Sequence, residues 1–194
     1  MKRKIVAILL LLAIVMSLTA CELPFGSVLH TQYMEFTLLE DGTYSVKLKE
    51  GAEDKIPTRV VIPDTYNGKA VTVIEPYGFK GCMNSTHLVI SNNITTIGDY
   101  AFRCCFDLTE LKIPDSVVDI GNYAFRGTSI TFVIIGKGIK TIGEGAFNQC
   151  FSLEHVYYRG NRTEWKGVSV GENNSIFMKA RVYFDYSEEY VSYI

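Results

Sequence analysis

Isoleucine recurs at positions 74, 97, 120 and 142, at offsets of 23, 23 and 22 residues. Each is followed five residues later by a phenylalanine: Phe79, Phe102, Phe125 and Phe147. No other feature limits the folding of this chain so strongly. A period of roughly 20–29 residues is too short for a domain and is that of one coil in a stacked solenoid. A single coil cannot bury its own apolar side chains. Stability then depends on stacking neighbours, and both ends need covering.

The period from Ile97 to Ile120 can be read residue by residue. Ile97 and Gly98 end an extended piece, and Asp99-Tyr100-Ala101-Phe102 suits a single helical or 3-10 turn. Leu111 and Ile113 alternate with Glu110 and Lys112, which predicts a short strand with the apolar pair inward. Pro114-Asp115-Ser116 is turn chemistry, since proline cannot donate to a continuing ladder and Asp or Ser bonds nearby backbone. The inward set of one coil is Ile97, Ala101, Phe102, Leu108, Leu111, Ile113, Val117 and Ile120.

The stretch I-G-D-Y-A-F-R-C-C-F-D-L-T-E-L-K-I-P-D-S-V resembles the BspA-type, or treponemal-type, leucine-rich repeat. Ile97, Gly98, Ala101, Phe102, Cys105, Leu108, Ile113, Pro114 and Val117 carry the likeness. Gly121, Ala124 and Phe125 carry it again, as do Gly143, Ala146, Phe147, Cys150 and Leu153. Departures are Glu75 and Gly78 for the usual Gly and Ala, Thr128 for Cys, and Gly136 for Pro. The resemblance implies an α/β-type, strand-dominated repeat solenoid. It would be a right-handed leucine-rich-repeat coil of short parallel strands and short helical or 3-10 turns. Tyr157-Tyr158-Arg159-Gly160 with Trp165 is similar to the family's C-terminal cap, which gives Trp165 a sealing role; stacking on a ligand is the alternative.

Ahead of the repeats, Lys2-Arg3-Lys4 and the apolar run from Ile5 to Met16 form a leader too short to span a membrane as a helix. Leu18-Thr19-Ala20-Cys21 resembles a bacterial lipobox, in which Cys21 carries the lipid. An ordinary signal peptide or an uncleaved anchor helix is the other reading of the same residues. The expected division is 1–20 signal peptide, 21–33 tether, 34–160 solenoid with an N-terminal hairpin cap, 161–186 C-terminal cap and 187–194 tail. Asp41-Gly42 between two alternating runs, Phe36–Leu39 and Tyr44–Leu48, predicts the hairpin. Without the leader, 16 basic residues remain against 21 acidic, a balance that argues against a nucleic-acid partner.

The remaining chemistry is sparse. His30, His87 and His155 stand in no metal or catalytic motif, and no phosphate loop or nucleophile elbow occurs. No enzyme activity, cofactor or metal is expected. Cys82, Cys105 and Cys150 fall three residues after their phenylalanines, with Thr128 in the same place. They read either as buried free thiols or, for Cys82 and Cys105 in neighbouring coils, as a disulfide.

The outward strand positions are the candidate binding face: Arg59 and Val61, His87 and Val89, Glu110 and Lys112, Phe132 and Ile134, His155 and Tyr157. Several are apolar or aromatic, which fits either an interaction patch or plain strand propensity. Tyr77, Tyr100 and Tyr123, with Lys80, Arg103 and Arg126 nearby, make a second column. The resemblance implies adhesion: a lipid-anchored protein of a bacterial envelope or surface that binds a protein or polymer. A structural scaffold subunit of an envelope assembly is the alternative.

Overall fold

A computed structural model describes residues 31–187; the leader, Cys21 and the last seven residues lie outside it. Thr31–Tyr33 form a 3-10 turn, and Tyr33 packs partly against the core. Strands β1 (Met34–Leu38) and β2 (Tyr44–Leu48) pair antiparallel across the Asp41-Gly42 turn. Gly42 takes the positive φ of 84° that this turn demands. From there the chain winds between two sheets.

The second sheet is built from β3 (Arg59–Val61), β6 (His87–Val89), β8 (Glu110–Ile113), β10 (Phe132–Ile135), β12 (His155–Tyr158) and β14 (Arg181–Tyr183), in that spatial order and all parallel. The first sheet holds β1, β2, β5 (Lys69–Ile74), β7 (Thr96–Ile97), β9 (Asp119–Ile120), β11 (Thr141–Ile142) and β13 (Ser169–Val170). Beyond the β1–β2 hairpin, the strands from β2 to β13 pair in parallel as well. Each coil gives one strand to each sheet, which is the strand-dominated solenoid the repeats imply. The inserted Tyr66-Asn67-Gly68-Lys69 loop is a second hairpin. β4 (Thr65–Tyr66) folds back on β5, with Asn67 and Gly68 at φ 49° and 74°. Asn-Gly at positive φ is the pairing a two-residue hairpin prefers.

Inside the coils the phenylalanines form one continuous stack. Ring centroids are 5.4 Å apart from Phe79 to Phe102, 5.4 Å to Phe125, 5.5 Å to Phe147 and 4.7 Å to Phe177. All five are buried. Offset aromatic stacking at this spacing adds to the area each ring removes from water. The predicted inward set Ile97, Ala101, Phe102, Leu108, Leu111, Ile113, Val117 and Ile120 is buried without exception.

The turn side departs from the expectation of a helical or 3-10 turn. Asp99–Phe102 is a hydrogen-bonded turn broken by Tyr100 at φ 56°. Alternate amides reach the next coil: Tyr100 N–H donates to Asn122 O at 2.8 Å and Phe102 N–H to Ala124 O at 2.7 Å, while Ala101 N–H stays within its own coil on Gly98 O at 3.3 Å. Gly121 permits this closeness, because a Cβ there would lie 2.5 Å from the Asp99 backbone nitrogen. Among the described residues the α-helices are α1 (Arg162–Trp165) and α2 (Ser175–Lys179), both after β12.

The coil stack ends at this C-terminal segment. Asn161 opens α1 with a capping box, its Oδ1 accepting the Thr163 and Glu164 amides at 2.8 and 3.0 Å. Half-buried Trp165 packs on Tyr158 at 4.9 Å and on Phe177 at 6.1 Å. The indole therefore touches the last coil and the last ring of the phenylalanine stack.

Candidate functional site

The outward positions of the second sheet stand in two straight columns because the strands pair in register. Arg59, His87, Glu110, Phe132, His155 and Arg181 are mutual neighbours across the sheet. Val61, Val89, Lys112, Ile134, Tyr157 and Tyr183 form the column two residues further on. All ten residues singled out from the sequence on this face are thus brought together. The period-2 alternation of β8 is visible directly, with Glu110 and Lys112 exposed and Leu111 and Ile113 buried.

The columns divide by chemistry. The β3–β8 end carries Arg59, His87, Glu110 and Lys112, all exposed. The β10–β14 end is aromatic. Tyr157 stacks on Tyr183 at 5.0 Å and meets Tyr186 at 4.9 Å, and Phe132 approaches Tyr157 edge-on at 6.0 Å. His155 lies 5.8 Å from the Tyr183 ring, and its Nδ1 is buried with no hydrogen-bond partner among the described residues. Between the two ends lies a shallow hollow of about 420 Å³, floored by His87, Glu110, Phe132 and Ile134 and walled on one side by Tyr186. Sequence reasoning ended the columns at His155 and Tyr157. Arg181 and Tyr183 extend them, and the repeat of His155-Val156-Tyr157 as Arg181-Val182-Tyr183 was the available signal.

On the turn side, Tyr77, Tyr100 and Tyr123 stack at 4.8 and 5.2 Å. Lys80, Arg103 and Arg126 each sit over their own coil's ring, at 5.7, 5.7 and 5.9 Å from its centroid. The three tyrosines have φ of 58°, 56° and 54°, a region that costs a bulky L-residue about 1–2 kcal/mol. The next coils place Gly145 and Asn173 there, at 56° and 61°. The Tyr123 hydroxyl donates to Glu144 Oε1 at 2.5 Å, and Asn173 Nδ2 donates to the same oxygen at 2.8 Å. Both bonds hold the Glu144 carboxyl below its ordinary pKa, and the bond to Glu144 pushes the Tyr123 phenol above its own.

The predicted cysteine ladder is present as free thiols. Cys82, Cys105 and Cys150 are buried, and Cys104 is half-buried. Cys105 Sγ bonds Phe79 O at 3.2 Å and Cys150 Sγ bonds Phe125 O at 3.2 Å. The Cys82 thiol is pushed strongly up, first by its hydrogen bond with Cys105 and then by burial. Thr128 fits the ladder because its hydroxyl meets Cys150 Sγ at 3.3 Å and Phe125 O at 3.0 Å. Among the described residues no group of three His, Cys, Asp or Glu side chains is placed to hold a metal ion.

The profile of the BspA type Leucine rich repeat region matches residues 59–174 in six copies, well over half of the chain. The chain belongs to this family. The T. pallidum leucine-rich repeat protein TpLRR shares the fold, with a TM-score of 0.53 at 19% identity over 78% of this chain and 82% of that one. A leucine-rich repeat protein from Eubacterium ventriosum gives 0.51 at 23% identity over 71% of this chain and 39% of its own. The pneumococcal vaccine antigen PcpA gives 0.50 at 18% identity over 80% of this chain and 48% of its own. This chain therefore spans less than half of the latter two. No curated protein matches the sequence.

Proposed function

We propose that the outward face of the second sheet is a protein-binding surface, carried outside a bacterial cell by a lipid on Cys21 and used in adhesion. The supporting observation is the aromatic end of the two columns, where Phe132 and Ile134 line a hollow with polar side chains and Tyr157 and Tyr183 continue the apolar surface across the next strands. Aromatic anchors beside a polar rim are the anatomy of a protein interface, with binding energy concentrated in the rings. Leucine-rich repeat proteins typically serve protein–protein interaction, and the proposal is of a binding protein with no catalytic step.

In the same reading residues 1–20 are a lipoprotein signal peptide and residues 21–33 tether the solenoid to the membrane. The β1–β2 hairpin and residues 161–186 cap its ends. More than one acyl chain on Cys21 would supply the two hydrophobic signals that stable anchoring needs. Cys21→Ser is expected to release the protein from the membrane fraction; retention would favour an uncleaved helix.

The binding face is tested by recovering partners from a detergent-solubilised envelope and from host matrix extracts. Phe132→Ser and Tyr157→Ser, singly and together, are then compared with Tyr100→Ser, after folding is verified by thermal melting. Loss of the recovered partner in the folded double variant, and not in Tyr100→Ser, is the expected result. The opposite pattern removes the strand face as the site. Protection of the protein from protease on intact cells would favour the scaffold role instead.

A further inference from the structure

The described chain ends beside the hollow on the outward face of the second sheet. After β14, Asp185 turns at φ 56°, and Tyr186 N–H donates to Tyr158 O at 3.1 Å. The chain has thus stepped back from β14 to β12, the direction in which the hollow lies. The Tyr186 ring rests 4.9 Å from Tyr157 and walls the hollow. After Ser187 the sequence continues as E-E-Y-V-S-Y-I, residues 188–194. Four of these seven are large and apolar, and none is Gly or Pro, a composition unlike that of a solvated tail.

Length and order fit this segment to the hollow. Tyr186 enters on the column that runs from Tyr157 through Ile134, Lys112 and Val89 to Val61. Neighbouring strands lie about 4.8 Å apart, so Lys112 stands about 9.6 Å from Tyr157 along the column and Val61 about 19 Å. An extended chain advances about 3.3 Å per residue, which carries Glu189 about 10 Å beyond Tyr186 and Ile194 about 26 Å. Glu189 therefore reaches Lys112, and the apolar residues after it reach Val89 and Val61. The charges agree as well. The fixed charges lining the hollow are Arg59, Glu110 and Lys112, one positive in excess, and the segment opens with two carboxylates. Glu110 stands in the other column, away from the line on which Tyr186 enters.

We propose that residues 188–194 fold back across the hollow as a strap, with Glu189 paired to Lys112 and the apolar side chains after it laid over Val89 and Val61. The strap shields this face, and a partner has to displace it. That competition rests on the binding role proposed for the face; the strap itself does not. Among possible occupants the chain's own segment is favoured because Tyr186 delivers it to the wall of the hollow. A short tether of this kind holds a segment at an effective concentration in about the millimolar range.

The experiment is zero-length carbodiimide coupling of the purified chain, which joins a lysine to a carboxylate in contact with it, followed by peptide mass spectrometry. Lys47 with Glu35, 3.7 Å apart, is the internal reference. Coupling of Lys112 to Glu188 or Glu189 of the same chain is expected, at a yield within about threefold of the reference, both being exposed ion pairs. Y190S/V191S/Y193S/I194S keeps both carboxylates and should cut that yield at least about fivefold, because burial of the apolar side chains holds the strap down. The same variant should speed acetylation of Lys112 at least about threefold and leave that of Lys69, exposed on β5, unchanged. Mixing nitrogen-15-labelled and unlabelled chains separates products within one chain from products between two. No Lys112 product beside a formed Lys47–Glu35 product, Lys112 products only between chains, or a yield and acetylation rate unchanged in the variant would each overturn the proposal. These measurements need no partner, so their failure is separate from failure of the binding face.

Discussion

The Oδ1 atom of Asn174 accepts the Phe147 amide at 3.1 Å, where a backbone carbonyl of the next coil would otherwise stand. In the preceding coils that amide is paired with Ala101, Ala124 or Ala146 oxygen. Asn174 Nδ2 meanwhile donates to Gly143 O and Gly171 O, both at 2.9 Å. One buried amide side chain thus ends a ladder that runs through every repeat. It has both an acceptor and a donor, and the ladder end needs both.

Asn174→Ala should therefore destabilise by about 1–3 kcal/mol, the cost of leaving buried backbone groups unpaired. Asn174→Asp separates the two roles, since a carboxylate still accepts but faces the carbonyl oxygens of Gly143, Gly171 and Glu172. Its folded-state pKa would be raised, so its stability is fullest below the ordinary Asp value of about 3.9 and is lost as pH rises. Denaturant melts of both variants at about pH 4 and pH 7 check this. An Asp variant no weaker at pH 7 than at pH 4 would count against the donor role.

Phe102 lies within the phenylalanine stack, 5.4 Å from the rings on either side. Phe102→Ala should cost about 3–5 kcal/mol, a large part of the roughly 5–15 kcal/mol of a typical domain. Because coils stack in one dimension, the loss should also lower the cooperativity of unfolding. Urea melts followed by circular dichroism measure both midpoint and slope.

Gly121 and Gly42 are a matched pair for testing close coil approach. A Cβ at Gly121 meets the Asp99 backbone at 2.5 Å, whereas Gly42 has nothing within 4 Å. Gly121→Ala should destabilise by about 3 kcal/mol or more through forced separation of coils. Gly42→Ala should cost only its positive φ, about 1–2 kcal/mol. Comparable melting shifts for the two would rule out tight coil contact at residue 121.

Tyr123 and Glu144 share a hydrogen bond that moves both of their pKa values. The depressed Glu144 contributes stability present above the ordinary glutamate value and lost as pH falls through its folded pKa. The raised Tyr123 contributes stability present below the ordinary phenol value of about 10 and lost as pH rises through its folded pKa. Carbon-13 resonances of ring-labelled tyrosine should show Tyr123 titrating later than an ordinary tyrosine. In Glu144→Gln it should move back toward the ordinary value; an unmoved titration would assign the shift to burial.

Ile74, Ile97, Ile120 and Ile142, with the phenylalanine five residues after each, determined the coil, its inward set and the facing of its strands. That much is local, because a side-chain period of two within each strand and a fixed repeat length decide which residues share a face. Glu110 and Lys112 were legible as outward, and so were their equivalents from Arg59 and Val61 to His155 and Tyr157. The tertiary structure alone decided what depends on contact between coils. Tyr100 departs from the expected helical turn at φ 56°, and its amide bonds Asn122 in the next coil, a contact invisible in one period taken by itself. Arg181 and Tyr183 join the columns only because residues 161–180 bring β14 back beside β12. Asn174 has no repeat signature, since its task exists only where repetition stops: a buried backbone amide must be paired, and at the last coil a side chain is what remains to pair it.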